Sequence, residues 1–427
     1  MDRKTAPGIR TVNTLDIIHP EEVRLANGVS VRIIRAGTEA VCRIEFVFEA
    51  GSRYQDAIFQ ASLTNQMIPE GTPSMTGGEI AEQFEFYGSF FNVSADRDEA
   101  DLTVHSLEKF LEPVLALTRE VLVNPTFPEE ELEIIRANRI QSMKVDDQRV
   151  ESQARKHFNR AIFGSSHPYG IIGEINDIRQ VKRSQLQAFH IRSYTPANCR
   201  ILLTGPHPDQ YLRHLEMYFG SDWNHPGTRL ENNMPPIMPA FDKRIEVNQP
   251  EAVQTAIRIG CPVFGRMHPD FQGLTILNTI LGGYFGSRLM SNIREEKGFT
   301  YGISSHLLAL KDNGYFVIAA TVGADVWRQA IDECNKEMTR LVEENVSVSE
   351  LARIRNYLTG QLQRSVDGPF QLAEQYRTLW INGLDFSYLC DFMDLINRIT
   401  PKDLKKLAIR YLNPDNMITV AAGPIKT

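Results

Sequence analysis

Leu186–Pro206 reads LQAFHIRSYTPANCRILLTGP, and Leu404–Pro424 reads LKKLAIRYLNPDNMITVAAGP. Laid over one another, Leu186 falls on Leu404, Pro196 on Pro414, Asn198 on Asn416 and Gly205-Pro206 on Gly423-Pro424, all at an offset of 218 residues. Ile178 and Ile396 keep that offset. Further upstream, EELEIIR around Glu131 answers SELARIR around Glu350 at an offset of 219. A constant offset over so much chain marks a duplication, and two copies make two homologous domains, not a solenoid. The length of 427 residues agrees, being too long for one ordinary core.

Each copy begins with strands and turns helical. In the first, Glu22–Leu25 and Val29–Ile34 flank an Asn27-Gly28 hairpin turn, and Val41–Phe48 reads as a third strand. Helices are expected over Phe59–Met67 and Gly78–Tyr87, the second opened by the capping box Thr76-x-x-Glu79. Strands Phe90–Ala95 and Ala100–His105 follow, then helices near Leu107–Val121, Glu129–Met143, Arg149–Ile162 and Ser184–Ser193. The second copy repeats strands at Arg244–Asn248, Ala252–Gly260, Gly302–Leu308 and Tyr315–Val322, with helices near Pro269–Leu281, Ser287–Glu296, Val326–Glu343 and Ser347–Leu362. The Pro- and Asn-rich stretch between them reads as a linker, which divides the chain into residues 1–220, 221–243 and 244–427. Strands grouped apart from helices give an α+β class: two homologous domains, each a sheet with helices packed on one face.

Composition excludes several function classes. Hydrophobic residues make up 42% and charged residues 23%, as in a soluble globular protein. A net charge of −7 with interspersed signs leaves no basic stripe for nucleic acid. No apolar run is long enough to span a bilayer, and the first residues show neither an apolar secretory core nor an Arg- and Ser-rich presequence. The five cysteines, Cys42, Cys199, Cys261, Cys334 and Cys390, are odd in number, scattered and without a C-x-x-C pair, which fits reduced thiols in a cytoplasmic protein.

Several short motifs then fall in order: Gly51-Ser52-Arg53-Tyr54, Gly71-Thr72, Asn92, Asn124-Pro125-Thr126-Phe127, His167-Pro168-Tyr169-Gly170, and Leu281–Ile303, LGGYFGSRLMSNIREEKGFTYGI. In this order the chain, from about Val23 to Gly423, resembles the M16 metallopeptidases, the insulinase, pitrilysin and mitochondrial-processing-peptidase group, and among them the bacterial members with two repeats per chain. The resemblance implies the M16 metallopeptidase fold (LuxS-like). It also implies a clamshell built from two such chains or from one fused chain, with zinc on an H-x-x-E-H helix of one half and a distant Glu as third ligand. Histidines at i and i+4 share a helix face and can bind one zinc, and the Glu beside them can take a proton from metal-bound water.

Counted back from Gly71-Thr72, the positions of that motif hold Ser62, Asn65 and Gln66. Asn65 has no carboxylate to act as a base, and Ser62 and Gln66 offer neutral oxygens where imidazole is wanted. The third ligand falls near Gln141 or Ser142, with Glu133 and Asp146 a helical turn or more away. No other H-x-x-E-H or H-E-x-x-H occurs among the ten histidines, so no metal is expected on this chain. Arg294 and Tyr301 match the pair that, in the family, reaches across the cavity to hold the substrate backbone and the oxyanion. By residue type alone they are a surface Arg at a charged helix end and a half-buried strand Tyr; the resemblance makes them substrate-binding candidates.

Other candidates have plainer readings. Asn92–Ala95 matches the family's peptide-binding edge strand and equally an ordinary strand of the sheet. His167-Pro168-Tyr169 reads as a packing turn, His105 and His157 as lone histidines, and Glu129–Glu131 as acidic groups complementing a helix dipole. Gly282-Gly283 lacks the Lys-Ser/Thr of a phosphate loop.

Two functions are compatible with this. One is a non-catalytic subunit of a two-chain zinc peptidase, inactive alone, with zinc on an H-x-x-E-H partner chain and a peptide substrate enclosed between them. The other is a structural or peptide-binding scaffold with no peptidase role. A heterodimer with the zinc-bearing chain and a homodimer both remain open, and neither nucleic acid nor a membrane is expected as partner.

Overall fold

The computed structural model describes residues 14–221, 223, 230 and 234–425. The sequence start and most of the Pro- and Asn-rich part of the 221–243 stretch, including Pro226, lie outside them. The first sheet has six strands, β1 (Glu21–Arg24), β2 (Ser30–Arg35), β3 (Val41–Phe48), β4 (Phe90–Ala95), β5 (Ala100–Leu107) and β6 (Cys199–Gly205). They lie in the order β1-β2-β6-β3-β5-β4. The second sheet has five, β7 (Arg244–Asn248), β8 (Gln254–Phe264), β9 (Thr300–Ala309), β10 (Asn313–Gly323) and β11 (Ile418–Gly423), in the order β7-β11-β8-β10-β9. The duplication is visible in the pairing. β6 lies parallel to β2 and antiparallel to β3, and its repeat β11 lies parallel to β7 and antiparallel to β8. β4 and β9 are the corresponding free edges.

Alternation along the strands sets the layers. On β3, Ile44, Phe46 and Phe48 point into a core shared with Leu115 and Val121 of helix Leu111–Val123 and with Tyr211 and Phe219 of helix Pro208–Phe219. On the second sheet, Phe316 and Ile318 meet Ile331, Cys334 and Met338 of helix Trp327–Glu343 and Ile354 of helix Val348–Ser365. Thr76 opens its helix with the expected capping box: its Oγ1 accepts from the Glu79 amide at 3.3 Å, while Glu79 accepts from the Thr76 amide at 2.8 Å.

Arg43, Glu45 and Val47 of β3 are also buried, so the opposite face of the sheet must be covered as well. One helix of the other half covers it. Helix Pro369–Trp380 lays Leu372, Ala373 and Tyr376 against Ile34 and Leu202 of the first sheet. Reciprocally, helix Val150–Phe163 lays Phe158, Ala161 and Ile162 against Tyr315, Val317, Ile418 and Val420 of the second. The halves thus exchange equivalent helices, and each fully buried aromatic or branched side chain in these layers contributes about 1.5–3 kcal/mol.

Candidate functional site

Helix Gln60–Met67 carries the three positions of the motif. Its Leu63 and Met67 pack on Phe127, Leu132 and Leu186, which fixes the helix beside the first sheet. Ser62 bonds back to the Phe59 carbonyl at 3.2 Å. Asn65 is buried and donates to the Tyr194 hydroxyl at 3.2 Å and the Asp101 carbonyl at 3.4 Å, while Gln66 is exposed. Gln141 and Ser142 lie on the exposed side of helix Glu129–Gln148, and Ser142 bonds to the Asn138 carbonyl at 3.0 Å. Glu133 is taken by Arg136, and Asp146 faces Arg149 at 3.7 Å. Zinc here would ask for imidazole and carboxylate donors, and these positions present a hydroxyl and two amides, one spent on buried bonds. They do not fit the metal, and no cluster of three His, Cys, Asp or Glu side chains among the described residues offers another place for it.

The Arg and Tyr sit on the second sheet in a differently built stretch. Helix Phe271–Asn278 widens into i to i+5 turns over Thr279–Gly283. There Gly282 lies so close to β9 that a Cβ would stand 2.6 Å from the Ser305 amide nitrogen, so no side chain fits. Asn278 and Ser305 tie the two elements together with reciprocal bonds of 3.2 Å. In the following turn Tyr284 packs on Tyr357 with ring centroids 5.0 Å apart, and Arg288 grips Glu350 with two bonds of 2.9 Å. A second wide helical segment, Met290–Glu296, is anchored by Ile293 in the core and by Asn292, which donates to Glu337 at 2.8 Å. Gly298, at φ +65°, reverses the chain into β9.

On this anchored bed Arg294 and Tyr301 are left free. Tyr301 is 93% exposed at the start of the edge strand, not half-buried as its residue type suggests. A bulge lifts it out: the Thr300 hydroxyl donates to the Thr321 carbonyl at 2.7 Å and accepts from the Gly302 amide at 3.1 Å. The Arg294 guanidinium lies over the Phe285 ring, 4.9 Å from its centroid, and among the described residues it meets no carboxylate. Two hydrogen-bond donors are therefore presented unspent. The first-half positions lie along β4 and this pair lies along β9, so the two sets occupy corresponding edges of different sheets.

Among the other sequence candidates, the histidines and the motifs around Arg53 and Tyr169 are structural. β4 is the free edge of the first sheet, with Asn92 and Ser94 exposed. His167 is fully buried, accepts from the Tyr169 amide at 3.1 Å, and burial pulls its pKa down. His105 and His157 are likewise lowered by burial. The motifs around Arg53 and Tyr169 form a clasp between the halves. Buried Arg53 reaches Asp98 at 2.8 Å, the Tyr169 hydroxyl at 3.0 Å and Asp312 of the second half, while the Lys311 amide donates to Asp98 at 3.0 Å.

A second ion cluster had no sequence signal. Under helix Pro369–Trp380, Glu45 is fully buried 3.0 Å from Arg43, and Arg377 reaches Asp101 at 2.8 Å and Glu99 at 3.3 Å. Burial pushes the Glu45 and Glu99 carboxyls up to about 7, against the pull of the arginines. Charged residues alternating along strands read as solvent-facing until the covering helix is known.

Two family models match the chain: residues 31–170 fit the insulinase (peptidase family M16) description, and residues 180–358 fit the peptidase M16 inactive domain. The chain is similar to the crystal structure of a peptidase M16 inactive domain from Pseudomonas fluorescens, at TM-score 0.88 and 27% identity, covering 96% of this chain and 99% of that one. An uncharacterized zinc protease of Bacillus subtilis, YmxG, is 23% identical over 80% of this chain and 83% of its own length. The periplasmic protease PqqL of Escherichia coli shares the fold at TM-score 0.79 and 18% identity, with 99% of this chain covering 49% of that longer one.

Proposed function

The chain belongs to the M16 peptidase family, and from that premise we propose that it is the non-catalytic subunit of a two-chain zinc peptidase. Its partner carries the intact H-x-x-E-H helix and the zinc; this chain lends Arg294 and Tyr301 and half of the chamber that encloses a peptide. One observation carries the reading. Asn65, at the position of the motif's base, has become a buried structural group, whereas Tyr301 stands exposed and the part-buried Arg294 meets no carboxylate among the described residues. In that role the guanidinium grips a carbonyl oxygen of the substrate backbone, and the phenol donates to the negative charge that develops as the peptide bond is attacked. The longer PqqL chain, half of which this fold covers, has room for two such units in one polypeptide. None of the five cysteines is paired, four of them are buried, and no helix among the described residues is long and apolar enough to cross a membrane. We place the pair in the cytoplasm, with the chain divided at the 221–243 stretch.

The test is to purify the chain alone and together with an H-x-x-E-H chain encoded beside it, and to measure zinc content and cleavage of quenched fluorescent peptides. The chain alone should hold no stoichiometric zinc and cut nothing, and the pair should do both. Tight zinc and chelator-sensitive cleavage by the lone chain would overturn the reading. Full activity of a pair carrying both Arg294→Ala and Tyr301→Phe would favour a scaffold.

A further inference from the structure

The turn that precedes Arg294 sorts its side chains in a way the family motif does not explain. Tyr284 turns inward onto Tyr357, Arg288 turns inward onto Glu350, and Leu289 is buried in the core. Phe285, between them, is 64% exposed, and its one ring contact among the described residues is the Arg294 guanidinium, 4.9 Å from the ring centroid. A single exposed aromatic is ordinary on a protein surface, so what sets Phe285 apart is the cation that lies over its ring.

We infer that Phe285 is a positioning residue: its ring face holds the Arg294 guanidinium in place for a substrate carbonyl. The chemistry favours a ring over the more common partner. An arginine has about 2 kcal/mol of rotamer entropy to lose on being fixed. A carboxylate would fix it but would occupy two of its five N–H donors and neutralise its charge. An aromatic face attracts the cation through its quadrupole and leaves those donors for the substrate. Glu295 and Glu296 are the nearest acidic residues in sequence, and neighbours one or two apart on a helix face different directions, so they do not compete with the ring.

This inference rests on the role proposed for Arg294, and the experiment separates the two. In the complex of this chain with its zinc-bearing partner, kcat/KM on quenched fluorescent peptides is measured for Phe285→Ala, Phe285→Leu, Phe285→Tyr, Arg294→Ala and the Phe285→Ala/Arg294→Ala double variant. Thermal midpoints confirm that each variant is folded, which the exposure of Phe285 favours. An exposed cation–π contact corresponds to a loss of about threefold to fivefold for Phe285→Ala. Leu should fare no better than Ala, Tyr should restore activity, and the double variant should be no worse than Arg294→Ala alone. Rescue by Leu, or losses that multiply in the double variant, would overturn the positioning role. So would an unaffected Phe285→Ala beside a crippled Arg294→Ala, with the reading of Arg294 left standing. Full activity of Arg294→Ala overturns that reading and this inference together.

Discussion

Helix Gln60–Met67 and the stretch from Leu281 to Ile303 occupy matching places beside the free edges of the two sheets, and they have gone opposite ways. In the first, the group that family chemistry needs in the open is turned inward: Asn65 spends its amide on the Tyr194 hydroxyl and the Asp101 carbonyl. In the second, Arg288 and Asn292 are tied down by Glu350 and Glu337 while Arg294 and Tyr301 are left unspent. A polar residue held by buried partners contributes to stability, whereas one held out by a rigid frame is available to something else. The two regions should therefore respond oppositely to substitution.

The largest effect is expected at Arg294. Arg294→Ala should lower kcat/KM of the zinc-bearing complex by about 10- to 100-fold, because a hydrogen bond from a charged donor to the substrate backbone contributes about 1.5–3 kcal/mol. Urea unfolding of the chain should stay within about 0.5 kcal/mol of wild type, as for a surface residue. Asn65→Ala should do the reverse, costing about 2 kcal/mol in urea unfolding because the buried Tyr194 hydroxyl loses its partner, with activity of the complex unchanged. A fall in activity at Asn65 without a fall in stability would erase the contrast.

Asp101 also joins the ion cluster beneath helix Pro369–Trp380, whose carboxyls couple stability to pH. The carboxyls of Glu45 and Glu99 titrate near 7 when folded, above the ordinary value of 4.5, because burial disfavours their charge more than Arg43 and Arg377 favour it. The folded chain then holds protons that the unfolded chain has released. The stabilisation is complete below about pH 4.5 and is lost as pH rises through about 7. Glu45→Gln should flatten that slope and recover about 1–2 kcal/mol at pH 8 in urea titrations run at several pH values, at about 1.4 kcal/mol per pKa unit. Gly282→Ala should act on both readouts: the added methyl must push the wide turn off β9, at about 3 kcal/mol and a fewfold loss of activity, since Arg294 rides on the same bed.

Much of this contrast was legible in the chain. The offset of the repeat located both halves, and once the family resemblance placed the motif on Ser62, Asn65 and Gln66, residue chemistry spoke against them as zinc ligands. β3, β4 and β7 fall where alternation places them. What could not be read depends on distant partners. Tyr194 is 129 residues from Asn65, and no local pattern announces a bond between them. Helix Val150–Phe163 has an ordinary apolar stripe, which looks the same whether it lies on its own sheet or on the other. The wide turns at Thr279–Gly283 and Met290–Glu296 differ from an α-helix by one residue per turn, below the resolution of periodicity. Arg53 and Tyr169 were read as family markers; their work as a clasp between the halves emerges only when Asp98 and Asp312 stand beside them.

The exchanged helices have a consequence for how the chain behaves as a polymer. Cut between the sheets, it would yield two fragments, each with one sheet face stripped of its cover and one helix with nothing to lie on. Neither fragment keeps both faces of its sheet covered, so the halves, though legible as a gene duplication, should melt together in calorimetry. A single cooperative transition for the whole chain, and recovery of fold only when both fragments are mixed, are what such an interlocked pair requires.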